Sequence, residues 1–355
     1  MRIRLALIIA AFCTAIAANP LVAAPGLATA PEVDAVTAAL TRNDFVEARR
    51  LSEELAAKGD AEGMNSLSIL LEHGLGGPAD PVRARQLSEQ AVAAGSVAAK
   101  STLARRLATS SDRTQWPRAL TLLQDVSRDP KLAMTAYYPV GRIMVFYDQD
   151  PEHLRQGVVS LQEALRSEPN NADAQFLVGR AFQNGWGGTE KNPKEAFAHF
   201  LAAANLGHDM ARRNVGMARL TGDGVAKDPV AAIADFKVAA ADGNAWAMID
   251  IAVMLATGEG VPTDPPQARA WYLKAAELGS AHGLRGVGVM LYRGEGGPID
   301  LINGRAYLEL AATAGDELSG RIAQALFLEL APHDREAVDA AKAAWLKSHP
   351  TPRAE

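Results

Sequence analysis

The stretch "GEGVPTDPPQARAWYLKAAELG", Gly258 to Gly279, returns 36 residues earlier as "GDGVAKDPVAAIADFKVAAADG" from Gly222 and 36 residues later as "GEGGPIDLINGRAYLELAATAG" from Gly294. Earlier copies begin at Gly74 and, one residue longer, at Gly185. Self-similarity at a fixed period of this size means that one supersecondary unit has been copied, and it rules out reading the length as two ordinary globular domains. Gly74 to Gly185 spans 111 residues, three periods of 37, so two degenerate copies are expected over 97–171. Their second helices read "RTQWPRALTLLQDVSRD" and "DPEHLRQGVVSLQEALRSEP".

Each position within a copy has its own physical task. Ten residues after the loop glycine comes a small residue (Ala84, Ala232, Ala268 or Gly304), and three and four further on comes a larger pair such as Asp235 and Phe236 or Trp271 and Tyr272. A glycine then closes the helix at Gly95, Gly243, Gly279 or Gly315, where a left-handed residue is needed. Upstream of the loop, Ala211, Val215 and Gly216, or Ala247, Ile251 and Ala252, again recur at helical spacing. Abundant alanine with 48% hydrophobic and only 6% aromatic residues suits close-packed helices rather than sheets.

A helix hairpin cannot bury its own apolar face, so the expected fold is all-α: a right-handed α/α solenoid of stacked hairpins over 33–350. Clear repeats are expected at about 61–96, 172–208, 209–244, 245–280 and 281–316, with degenerate ones at 97–171 and capping helices at 317–348. Before Gly74, "TRNDFVEARRLSEELAAKGD" reads as an orphan second helix. The first helices are expected to line a concave groove, whose polar ladder would comprise Arg180, Asn184, Asn214, Thr221, Asp250, Thr257 and Arg293.

The pattern resembles the Sel-like repeat family, helical-solenoid relatives of the tetratricopeptide repeats. The family's "AxxxLGxxYxxGxGVxxDxxKAxxWYxKAAxxG" is matched by Ala247 to Gly279, with Leu255 in place of tyrosine and Gln267 in place of lysine. The resemblance implies a protein–protein interaction scaffold and makes two roles natural: assembly of exopolysaccharide secretion machinery, or restraint of a sensor kinase. Cysteine-rich members linked to β-lactam binding are a poor guide, because the only cysteine here is Cys13.

Cys13 lies within an apolar run, Leu5 to Ala18, that follows Arg2 and Arg4 and is itself followed by small residues. This is the pattern of a secretory leader, assigned to 1–24 together with the start of a linker that runs from Asn19 to Pro31. Cleavage after Ala17 fits best, and sites after Ala24 and Ala28 are alternatives. A periplasmic or secreted chain is expected, without stable membrane insertion once the leader is removed. Without its leader the chain has no cysteine and about 34 basic residues against 41 acidic, which leaves no electrostatic footprint for nucleic acid.

Motifs for chemistry are missing. The Gly-x-Gly loops lack both the third glycine of a dinucleotide fingerprint and the Gly-Lys-Ser/Thr of a P-loop, and they recur where turns recur. The seven histidines show no HExxH, and His208 and His282, each just after a helix-closing glycine, are read as structural. Ser96 and Lys100 are one residue too far apart for SxxK, and Asp150 before Pro151 is read as a helix cap rather than part of a carboxylate site with Asp148 and Glu152. No cofactor or metal is expected. The function expected is a non-catalytic adaptor for protein partners in the cell envelope. The alternative is an enzyme or glycan-binding protein acting on cell wall or polysaccharide.

Overall fold

The computed structural model describes residues 30–147, 150–326, 334–349 and 351–352. The expected leader, nearly all of the linker and Asp148 lie outside the described residues. Eighteen α-helices and no strand are found among the described residues, and the chain divides into two bodies.

The first body, Met1–Pro169 with Trp186–Thr189, holds α1 (Ala30–Thr41), α2 (Phe45–Ala57), α3 (Ala61–His73), α4 (Pro81–Ala93), α5 (Val97–Thr109), α6 (Trp116–Arg128), α7 (Ala133–Tyr147) and α8 (Pro151–Ser167). The second body, Asn170–Gly185 with Glu190–Glu355, holds α9 (Ala172–Asn184), α10 (Pro193–Asn205), α11 (Asp209–Thr221), α12 (Pro229–Ala241), α13 (Ala245–Thr257), α14 (Pro265–Glu277), α15 (Ala281–Arg293), α16 (Leu301–Thr313), α17 (Glu317–Leu326) and α18 (Asp334–Ser348). Within each body consecutive helices up to α16 pack in pairs, each second helix also packs on the next first helix, and α18 packs on α16. One expectation is corrected: α2 is not an orphan, because α1 packs on it and buries Val36, Ala39 and Leu40 beside Ala48 and Leu55.

Local chemistry fixes the helix boundaries. Most second helices start at an Asp or Asn whose side chain accepts a first-turn N–H, as Asp228 does from Ala231 and Asp264 from Gln267, in several cases with proline in the first turn; α6, which follows Gln115, has no such side-chain cap. First helices use Asp60, Ser96, Asn171, His208, Asn244 and Ser280 in the same way. Except for α5, which ends at Ser110, they end at left-handed glycines such as Gly258, with φ of 78°. Two residues on, Gly260 has φ of 72°, and a Cβ there would run into Pro229 at the start of the preceding second helix. Gly224 and Gly296 meet Pro193 and Pro265 in the same way. The second glycine of each loop is thus the point where one hairpin rests on the last, so the loop is a stacking device rather than a phosphate cradle.

Packing follows a small-against-large rule. Gly216 faces the ring of Phe236, Gly179 that of Phe200, and Gly288 the side chain of Leu308, each pair joining the two helices of one hairpin. In the α13–α14 hairpin the glycine's place is taken by Ala252, and Tyr272 lies instead over Gly286 of the next hairpin. One added methyl is enough to displace a ring that would otherwise occupy the same space. Hydrophobic clusters straddle hairpins, as in the cluster from Leu220 through Phe236, Ile251 and Met254 to Met290, so apolar burial is shared along the stack.

Candidate partner-binding site

In the second body α9, α11, α13 and α15 repeat in register, so equivalent residues form rows across them. Asn184, Thr221, Thr257 and Arg293 are all the last residue before a capping glycine, and all are exposed. Asn214 and Asp250 are equivalent to each other and half-buried. Arg180 stands in a different row, whose other members are Met217, Val253 and Val289. The expected polar ladder is therefore one complete row, Asn184 to Arg293, and one partial row, Asn214 and Asp250, with Arg180 at the head of an otherwise apolar row between them. A further row at the N-terminal ends comprises Asp173, Met210, Trp246 and His282.

Several expected groove residues are engaged locally. The Thr221 hydroxyl donates to the Met217 carbonyl and the Thr257 hydroxyl to the Val253 carbonyl, both at 2.9 Å, so each is spent within its own helix. Arg293 lies 3.5 Å from Glu295. Asp250 accepts two hydrogen bonds from Arg213, Nε to Oδ2 at 2.5 Å and Nη2 to Oδ1 at 3.1 Å, which tie α11 to α13. Burial pushes the Asp250 carboxyl above its ordinary value, and the Arg213 guanidinium only partly offsets this.

The apolar part of the face is built around Trp246. Its ring lies 5.4 Å from the Arg213 guanidinium carbon and 4.7 Å from the His282 ring, so one indole touches first helices on both sides of its own. Met210 and Val253 are 37% and 38% exposed, while Met217 and Val289 are partly buried. Sequence reasoning missed this row and left Trp246 without a role. Adding the period to Arg180 gives Met217, Val253 and Val289 directly, so the signal was available.

The structural reading of His208 holds: its Nδ1 accepts the Ala211 N–H at 3.2 Å and its ring stacks on Phe176 at 4.3 Å. Ser96 and Asp150 likewise cap helices. Among the described residues no group of three His, Cys, Asp or Glu side chains is placed to hold a metal ion, and no helix is long and apolar enough to cross a membrane. The face offers apolar contact flanked by hydroxyl, amide and mixed charge, which suits recognition of a polypeptide surface.

Helix hairpins in register, stacked through loop glycines, with first helices displaying rows of side chains, define a helical-repeat protein of the kind that binds other proteins. More specifically, the Sel1 repeat model matches 61–96, 172–208, 209–244, 247–280 and 281–316, just over half of the sequence, and the chain belongs to that family. No match is found among the curated proteins. The fold is similar to that of c5321, a protective antigen of uropathogenic Escherichia coli strains with an SLR fold. That similarity has a TM-score of 0.57 and 21% identity over 91% of this chain and 77% of the other. It is also similar to a Sel1 repeat protein from Oxalobacter formigenes, with a TM-score of 0.57 and 23% identity over 87% of this chain and 98% of the other.

Proposed function

We propose that this protein is an exported, non-catalytic scaffold of the cell envelope, and that a protein partner rests on the first-helix face of its second body. The observation that carries the reading is the row Met217, Val253 and Val289 flanked by Trp246: apolar side chains repeated at the hairpin period on a face that also carries Arg180, Asn184, Asn214 and Asp250. Solenoids use such faces as extended docking surfaces, with apolar anchors supplying affinity and the polar rim orientation. Export is supported by the leader-like segment with Arg2 and Arg4 before an apolar run, and by a chain whose only cysteine lies in that run. Assembly of exopolysaccharide machinery and restraint of a sensor kinase are the two roles the family resemblance suggests.

The test is capture from an envelope fraction with the wild-type chain, with Val253→Glu, Arg180→Glu and Arg293→Glu, and with Lys237→Glu on a second helix as control. The groove variants are expected to lose the same captured partner at least tenfold while the control keeps it. Unchanged capture by every groove variant, together with tight binding of a purified polysaccharide, would overturn the scaffold reading. For export, N-terminal sequencing of the protein recovered from the periplasm is expected to begin after Ala17; an uncleaved chain in the cytosol contradicts it.

A further inference from the structure

The first body contains a buried carboxyl group that no cation neutralises. Glu62 sits in the first turn of α3, packed where Gly63 lies directly against Leu55 of α2. Its Oε1 accepts the Ser96 hydroxyl at 2.7 Å, and its Oε2 is fully shielded with no hydrogen-bond partner. Ser96 is 7% exposed and is the N-cap of α5, accepting the Ala99 N–H at 2.9 Å. The hydroxyl therefore joins the first turns of two successive first helices through a single proton.

The surrounding charges do not help. The charge that acts on it is a second carboxylate, Asp60, itself buried and accepting the Gly63 N–H at 2.7 Å. Lys58, in the turn between α2 and α3, donates to Glu32. On α2, Arg49 donates to the Pro78 carbonyl and pairs with Glu53, while Arg50 is held by Glu47 and Glu54. On α4, Arg83 and Arg85 are exposed and Glu89 pairs with Arg118. On α5, Lys100 pairs with Asp125, Arg105 with Glu168 and Arg106 with Glu72.

We propose that Glu62 is a proton-operated latch: on taking up a proton it tightens the junction between α3 and the start of α5, so the first body is held more firmly in mild acid than at neutral pH. An ionised carboxylate here loses its hydration and receives one hydrogen bond in return, whereas the neutral acid keeps the Ser96 contact without the cost of a buried charge. Burial is also the main cause that holds the Glu62 carboxyl above its ordinary value, with the Ser96 hydrogen bond opposing it and Asp60 adding to it. For a carboxyl raised in the folded state, the stabilisation is complete below the unfolded pKa and is lost as pH rises through the folded one. This is opposite to the usual acid lability of paired carboxylates. The inference does not depend on what the second body binds.

The test is hydrogen exchange of the full chain, read by mass spectrometry between pH 7 and pH 5 and corrected for intrinsic rates, on the wild type and on Glu62→Gln. Protection of peptides from α3 and the first turn of α5 is expected to rise on acidification to pH 5, towards a limit of about tenfold per unit by which the pKa is raised that is reached only below the unfolded pKa. In Glu62→Gln it should be high at both pH values, with second-body peptides serving as reference. The same pH profile in both proteins, or protection at this junction that falls in acid, would overturn the latch. If the variant fails to fold, a carboxyl carbon-13 titration of the wild type decides the matter: a Glu62 midpoint at or below the ordinary glutamate value contradicts the proposal.

Discussion

Phe236 and Gly216 show how much of this fold depends on single atoms. The ring is fully buried and lies against the bare Cα of Gly216, so Phe236→Ala is expected to cost about 3–5 kcal/mol in a denaturant titration, and Gly216→Val to be comparably damaging from the other side of the contact. Asp235, beside it, is 7% exposed in its side chain and held by Arg212 at 3.3 Å and Arg219 at 2.5 Å. Asp235→Ala leaves two guanidinium groups half-buried without their partner and should cost about 3 kcal/mol by the same measurement; a loss below 1 kcal/mol would show the triad to be dispensable. Much of this was legible in the sequence. Phe236 and Tyr272 are both marked by their spacing alone as the large residues of the pattern. The destination of Tyr272 was not legible, because it turns on Ala252 standing where other hairpins have glycine. The apolar row of Met217, Val253 and Val289 was overlooked for a different reason: choosing polar residues one helix at a time mixed three registers of the repeat.

The helices themselves are delimited by caps that the sequence spells out. Asp264 caps α14 through the Gln267 N–H, and Asp264→Ala should lower stability by about 1 kcal/mol, measured as a shift in the midpoint of urea unfolding. α1 was not foreseen because no loop glycine precedes it and it begins at the end of the expected linker, so the repeat offered no phase for it. At the other end, α18 is fastened to α16 by Lys342, which donates to Glu309 at 2.7 Å, with Arg305 on the same carboxylate. Burial pushes the Glu309 carboxyl up, but Lys342 and Arg305 together pull it below its ordinary value. A carboxyl lowered in the folded state gives stability that is present above the unfolded pKa and lost as pH falls through the folded one. α18 should therefore loosen in acid below about pH 4.5, seen as a rise in Trp345 solvent exposure by fluorescence quenching, and Lys342→Met should remove that pH dependence. Docking of α18 that is indifferent to acid would show that Trp345 and its apolar neighbours hold it without the ion pair.

Within each body, stability is spread over contacts between hairpins, since apolar clusters cross from one copy to the next. The period was the most legible feature, because a glycine that must be left-handed and a small residue that must face a ring leave marks that survive where other positions drift. The degenerate copies kept their helices but lost those marks; in α7 and α8 the close approach is made instead by Gly141 against Gly157 and Leu161. Removing one internal hairpin, residues 245–280, keeps the phase and should leave a folded, less stable second body. The most direct measurement compares circular dichroism of the isolated hairpin Asn244–Gly279 with that of the three tandem hairpins 209–316. The single hairpin is expected to be unfolded and the three-hairpin chain to be strongly helical with a cooperative thermal transition. A single hairpin that is helical and melts cooperatively by itself would contradict mutual support between copies.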